Sequence, residues 1–401
     1  MSDVDQRLRQ MVQSAYANAP AVKARFDKAG IHPHDIQTVA DLVHLPIMPK
    51  DELVHLQQAN PPFGGMLGVP FAQLTHIFFS PGPIYEPAIT QEENGFDGAV
   101  ECLRRSGFQA GQVVLNSFSY HLVPAGLAFD SSLRRLGCIV VPGGVGNSDL
   151  QLKMIEDLAI SGYVGTPSFL LHLLDKAAEL GKKLTLTHAL VSAEPLLPPM
   201  RAAIEAHGVS VGNAYATADF GLMALNLGDG LAMQLLPEPI IELLDPETGQ
   251  PVGPGEPGEV VATNFSKVYP LIRIGTGDMA VNVDPNPGHS TQAERAIILV
   301  GRSGEAAKVR GMFVHPNQLR FATGQIPGVQ KVQGVVSQPE NRDFFVVRAE
   351  LAEGADETAV TDQVKTAVQN LCRVRVDEVE IIAPGTLADD APGMVDARDW
   401  T

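Results

Sequence analysis

The sequence predicts an α/β protein: a large N-terminal α/β domain over residues 1–301, β-rich over about 230–300, and a small α+β domain over 302–401. Three observations carry this. From about residue 70, short apolar runs alternate with helix-length amphipathic stretches, the pattern of parallel βαβ units. Near residue 230 the text turns to short alternating segments rich in turn residues. After Gly301 it changes again, to strands flanking one long helical stretch.

The first 60 residues read as helical, with Leu8, Met11, Val12 and Tyr16 at helical spacing and Asp35 and Asp41 as helix caps. Strands follow at Ile77–Phe79, Val113–Phe118 and Cys138–Val141, separated by helices over Gly95–Arg105 and Ala125–Leu136. A second round has strands at Tyr163–Val164 and Ala189–Val191 and helices at Pro167–Leu180 and Pro199–Ala206. Asp245–Gly253 reads as a hairpin turn. The last domain is expected to hold strands near Val329–Ser337, Phe344–Glu350 and Val376–Ile382 and a helix over Glu357–Leu371.

A chain of 401 residues fits two or three domains at roughly 150 residues each. Lysine plus arginine is 29 against 46 acidic residues, a net charge of −17. That balance argues against nucleic acid as a partner, since backbone binding needs a basic surface. It leaves room for a local basic pocket. Cys102, Cys138 and Cys372 are far apart, with no disulfide framework or zinc spacing, and Cys102 and Cys138 sit in apolar patterns expected of a core. The polar N-terminus lacks a signal-peptide apolar region, and no run approaches the ~20 apolar residues of a membrane span. A cytoplasmic protein without a membrane partner is expected.

Several ordered segments resemble the acyl-adenylate-forming (AMP-binding) superfamily, and most its phenylacetate–CoA ligase branch. GTPSFLLHLLDKAAELG is similar to its Gly-Thr-Pro-Ser helix start, and SAEPLLPPMRAAIEAHGVSVGNAYATADFG to its Glu-containing turn and Tyr-Gly-x-Thr/Ser-Glu strand end. GEVVATNFSKVYPLIRIGTGD and VGRSGEAAKVRGMFVHPNQLR resemble its Thr-Gly-Asp and Gly-Arg-Ser-Asp-Asp segments. The resemblance covers about residues 5–398. It implies mixed sheets in the large domain and a small domain hinged at the Gly-Arg segment. It also implies a two-step chemistry: a carboxylic acid and ATP give an acyl-AMP, then coenzyme A attacks to give a thioester.

Three departures fall on the ATP half of that chemistry. Where the family has a Ser-Ser-Gly-Thr-Thr-Gly-Lys-Pro phosphate loop, this chain reads Ser80-Pro81-Gly82-Pro83-Ile84-Tyr85-Glu86-Pro87. The prolines remove two N–H donors. Glu86 stands in place of the lysine, and two like charges ~4 Å apart cost about 4 kcal/mol at an effective dielectric near 20. The strand end reads Tyr215-Ala216-Thr217-Ala218-Asp219, so Asp219 would be the magnesium ligand by resemblance, one carbon short. The C-terminus runs Gly385-Thr386-Leu387-Ala388-Asp389-Asp390 with no lysine after Lys365, whereas the family's adenylation lysine lies there.

The rest of the family constellation is present. By resemblance, Asp278 and Arg302 would contact a ribose, and Lys308, Arg310 and Gly311 would lie beside the pantetheine channel and meet the phosphates of coenzyme A. His121 follows a strand end and is the candidate catalytic base for a thiol. Tyr120, Glu194, Asn213 and Tyr215, with Phe169, would border an acyl pocket suited to a flat group. The reading favours acyl transfer from a coenzyme A thioester to a thiol or amine, with an acyl carrier protein as one candidate acceptor, and it places ATP and magnesium in doubt. Its alternatives are an ATP-dependent aryl–CoA ligase with a divergent phosphate loop and a non-catalytic ligand-binding homologue. A homodimer is expected by analogy.

Overall fold

A computed structural model describes residues 3–80, 84–89, 98–310, 312–337, 339, 343–372 and 374–398; for residues 303, 308, 312 and 313 it describes the backbone only. The chain divides into two units, the first made of Met1–Ile241, Val261–Ile274 and Gly288–Ile297, the second of Glu242–Val260, Gly275–Pro287 and Ile298–Thr401.

In the first unit the apolar runs pair as expected. Ile139–Pro142, Val113–Asn116, Gly162–Gly165, His188–Val191 and Ser210–Thr217 lie side by side in that order, all parallel. The sheet continues antiparallel with Gly221–Asn226 and Met233–Leu235. Parallel neighbours need a crossover, and the helices Ala125–Leu136, Ser148–Asp157, Pro167–Glu179 and Pro198–Ala206 supply it. Pro167–Glu179 shows why: proline sits at its first turn, where no N–H is needed, and Leu170, Leu173, Leu174 and Ala177 bury one face. Tyr163, Leu170, Leu173 and Ile204 join the core beneath them. Cys102 and Cys138 are buried, as their apolar surroundings predict.

The N-terminal segment folds as Asp3–Asn18 and Pro20–Ala29, whose Leu8, Met11, Val12, Val22 and Phe26 pack with Leu42 and Leu53. Asp35 and Asp41 act differently from the expectation. Each sits at the third position of a short 3-10 turn and reaches back to the backbone N–H of His32 and Thr38, both at 2.7 Å. They are the carboxylate half of a capping box rather than the cap itself.

The second unit holds a four-stranded sheet ordered Glu378–Ile382, Phe344–Leu351, Val329–Ser337, Met394–Asp396. The helices Pro316–Thr323 and Glu357–Cys372 accompany it, and Val336, Phe345, Val347, Val360, Val364 and Val368 form the core. The expected turn after Leu244 is present: Asp245 N–H donates to Gln250 O at 2.8 Å. Among the described residues no helix is long and apolar enough to cross a membrane.

The Gly301–Arg302 segment is packed against a histidine. Gly301 has φ +137°, and a Cβ there would lie 2.1 Å from His315 Cε1. His315 is fully buried, and its Nδ1 accepts the Asn317 N–H at 3.1 Å to start the Pro316–Thr323 helix. Glycine is therefore required by backbone conformation and by space. Gly301→Ala is expected to cost about 3 kcal/mol, read as a lowered urea midpoint. A loss below about 0.5 kcal/mol, the scale of an ordinary surface change, would contradict the packing described.

Candidate active site

The carboxyl ends of the parallel strands are where an open α/β sheet collects ligands. Here they open on a cavity of about 650 Å³ in the first unit. Ser192 and Ala193 line it just after one strand, and Ala216, Thr217 and Asp219 just at and after the next. Its apolar wall includes Phe118 and Phe129, stacked with centroids 4.8 Å apart and 12° between planes. Asn116 fixes the loop that carries Phe118: its amide donates to Gly126 O at 2.9 Å and Tyr120 Oη at 2.8 Å, and its oxygen accepts the Phe118 N–H at 3.1 Å.

The opposite wall is a hairpin. His76–Ser80 and Ile84–Ala88 pair antiparallel, with Phe78 opposite Glu86 and His76 opposite Ala88. Side chains alternate along a strand, so Phe78 and Glu86 line the cavity while Ile77, Phe79 and Tyr85 are exposed. The residues read in sequence as a phosphate loop or plain turn are thus partly a strand, Ile84–Ala88; Pro81, Gly82 and Pro83 lie outside the described residues. Gln57 holds the hairpin. Its side chain accepts the Tyr85 N–H at 2.8 Å and donates to Tyr85 O at 2.8 Å and to Tyr269 Oη at 2.7 Å.

Charge gathers at one end of the cavity. Asp219, its side chain 4% exposed, takes a 2.5 Å hydrogen bond from the Lys50 ammonium at the start of the Lys50–Ala59 helix. Ser80 Oγ donates to Glu86, which is buried. Burial raises the Glu86 carboxyl to about 7, and Asp219 pushes the same way; Ser80 and Lys50 oppose them. Asp219 Oδ1 and Thr217 Oγ1 are buried without a partner among the described residues. At the rim Arg7 pairs with Glu238 and lies over the Phe265 ring, 4.6 Å from its centroid.

Of the residues singled out in sequence, the cavity receives Asp219, beside Ala216 and Thr217. Tyr215 is buried in the strand below them, and Asn213 is half-buried opposite Val191 and Asn226. Tyr120 donates to Asp130 at 3.2 Å, and burial raises its phenol. His121 is exposed and outside the cavity lining; its backbone closes a turn with Val123 at 2.7 Å. Glu194 is exposed and accepts the Ser168 N–H at 3.3 Å, at the start of the Pro167–Glu179 helix. In the second unit, Asp278 and Arg302 meet each other at 2.7 Å. Arg310 is committed to Arg375 O at 2.8 Å, to Asp343 O at 3.0 Å and to the Asp377 carboxylate. The Lys308 side chain and Gly311 lie outside the described residues. In the C-terminal segment Glu350 takes the Leu387 N–H at 2.5 Å, and Lys331 reaches across to Asp389 at 2.6 Å.

A family model described as AMP-binding enzyme matches residues 100–265. The chain is 30% identical over 367 residues to the phenylacetate-coenzyme A ligase of Pseudomonas putida, covering 86% of this chain and 80% of that one. It belongs to the phenylacetate–CoA ligase branch of the acyl-adenylate-forming superfamily. The ligase of the same name from Aromatoleum evansii is 29% identical over 334 residues, 78% of this chain and 73% of that one. In fold, an open conformation of 2-hydroxyisobutyryl-CoA ligase, in complex with 2-HIB-AMP and CoA, superposes with a TM-score of 0.79 at 21% identity, over 98% of this chain and 90% of that one. Apo MatB from Rhodopseudomonas palustris gives 0.56 at 18% identity, over 80% and 66%.

Within this branch, Asp219 stands where a magnesium ligand is expected from sequence. Its carboxylate is paired with the Lys50 ammonium, Glu86 is held by Ser80, and among the described residues no group of three His, Cys, Asp or Glu side chains is placed to hold a metal, so an ion at Asp219 would take its other ligands from substrate phosphates and water. The sequence reading missed Lys50, 169 positions away from its partner; a lysine opening a helix carries no sign of a distant acid. Phe118 and Phe129 were readable only as core.

Two outcomes follow. Lys50→Met leaves Asp219 buried and uncompensated, and should cost about 3 kcal/mol, largely restored by adding Asp219→Asn; additive losses in chemical unfolding would refute the pairing. Glu86 binds its proton more tightly folded than unfolded, so it makes stability fall as pH rises from about 4.5 to about 7. Glu86→Gln should remove that slope and gain up to roughly 3 kcal/mol relative to the parent at pH 8. Parallel melting-temperature profiles of parent and variant across this window would contradict it.

Proposed function

We propose that this chain works on the acyl–CoA side of its family's chemistry, passing an acyl group, best a flat aromatic one, from a coenzyme A thioester to a thiol or amine, with ATP-dependent adenylation impaired. The observation that carries the reading is the Lys50–Asp219 ion pair. It occupies the carboxylate that the resemblance assigns to magnesium, beside a second acid, Glu86, where the resemblance assigns a lysine. A triphosphate brought there without its metal meets two carboxylates against one ammonium, which is already paired. The Phe118–Phe129 wall supports an aryl group, since stacked rings prefer a flat partner.

Thioester exchange needs no ATP: the thioester carbonyl is already activated, and a bound acceptor attacks it at high effective concentration. A second reading, an ATP-dependent aryl–CoA ligase, is favoured by the relatives at 29–30% identity, which are named phenylacetate-coenzyme A ligases.

The two readings part cleanly in one experiment. Phenylacetyl-CoA or benzoyl-CoA with a thiol and an amine acceptor, without ATP, should give acylated product and free coenzyme A. The same preparation should give no acid-dependent exchange of pyrophosphate into ATP. Exchange with any aryl acid, together with no ATP-free transfer, would overturn the proposal in favour of the ligase.

A further inference from the structure

We propose that His315 is a protonation switch for the Gly301–Arg302 segment: as a neutral ring it caps the Pro316–Thr323 helix, and as an imidazolium it releases the helix and holds Glu305. The switch lies within the second unit and is independent of the acyl-transfer reading. Each ring nitrogen has a different neighbour. Nδ1 accepts the Asn317 N–H at 3.1 Å, at the start of the helix. An accepting Nδ1 carries no proton, so in the neutral ring the proton sits on Nε2. Nε2 is buried and makes no aligned hydrogen bond among the described residues, although the Glu305 carboxylate stands 3.2 Å away.

A second proton must go to Nδ1, the one nitrogen of the ring still able to take it. The cap is then lost, because both nitrogens of an imidazolium donate and neither accepts. The Asn317 N–H is left facing another N–H. On the opposite side the ring gains a charge beside a carboxylate, where a charge-assisted bond is stronger than a neutral one. The Glu305 side chain is 58% exposed, which leaves it room to swing into line. Protonation therefore moves the stronger bond of the ring from the helix to the 3-10 turn Ser303–Glu305.

Gly301 feels this movement. A Cβ there would lie 2.1 Å from His315 Cε1 and 2.4 Å from Nε2, and the ring is fully buried. A ring so closely packed cannot turn its Nε2 edge toward Glu305 without displacing its neighbour. The next residue, Arg302, donates to Thr276 O at 3.2 Å and to Asp278 at 2.7 Å, and the Asn317 side chain donates to Val300 O at 2.6 Å. The released helix start and the displaced glycine thus act on one short stretch of backbone. Among the described residues, the charged groups facing the ring are Glu305 and Arg320, with the Arg302 main chain beside it. Burial and Arg320 resist the second proton, and Glu305 favours it. Burial is the largest of these, so the switch operates on the acid side of the ordinary histidine range.

The test uses the full chain with isotope-labelled histidine, and His315→Asn assigns the His315 signals. Near neutral pH the ring should be the Nε2–H tautomer. As it becomes an imidazolium on acidification, hydrogen exchange at Asn317 and over Val300–Arg302, corrected for its intrinsic pH dependence, should quicken about tenfold, the scale of a lost helix cap. Protection of the Pro167–Glu179 helix should stay unchanged. His315→Asn, which caps a helix but does not titrate, should remove the pH dependence. Glu305→Gln should move the transition of the ring to lower pH, and it keeps the idea testable should the asparagine variant misfold. An Nδ1–H tautomer at neutral pH, a transition unmoved by Glu305→Gln, or exchange at Asn317 indifferent to the charge on the ring overturns the switch. So does loss of protection throughout the chain before the ring titrates.

Discussion

A carboxylate withdrawn from water needs a cation, and at Asp219 that cation is Lys50. Much of the site's order descends from this pair. Lys50 opens the helix that carries Gln57, and Gln57 grips the backbone of Tyr85 with both ends of its amide. That grip seats the hairpin, and the hairpin's alternation turns Glu86 inward. An ion pair, an amide clamp and a two-residue period thus place one acid in a mostly apolar chamber.

The chamber divides by chemistry. Its aromatic wall comes from the loop after one parallel strand and the following helix, and its polar end from the tip of another strand plus the hairpin. The space between them is bounded by apolar rings on one side and acids on the other. Burial gives Glu86 its unusual affinity for a proton and makes its charge costly to the fold. Perturbed acids of this kind cluster at functional sites, and here the perturbation comes at the expense of stability at neutral pH.

Local pattern carried most of the fold. The Leu170–Leu173–Leu174–Ala177 stripe, the proline at a helix start and the alternation of strand and helix were all legible, because each depends on neighbours within a few residues. The motifs also led to a strand end where Ala216, Thr217 and Asp219 line the cavity. What sequence did not reveal were contacts set by the tertiary fold. Arg302 and Asp278 read as ribose contacts, and the fold also makes them partners of each other 2.7 Å apart. Arg310 read as a cation for phosphates, and the fold adds contacts to Asp343, Arg375 and Asp377 that the text did not show. A charged residue declares its sign in the text but not its companion.

The two-faced hairpin has an evolutionary consequence. Tyr85 looks outward and Glu86 inward because their neighbours on the paired strand are fixed by register. Loss or gain of one residue just before Tyr85 would invert that parity. The acid would move to solvent and a phenol into the chamber, exchanging a proton acceptor for an aromatic surface in a single mutational step. Diversification of this chemistry can therefore proceed by frame-preserving indels in one short strand, with the surrounding sheet untouched.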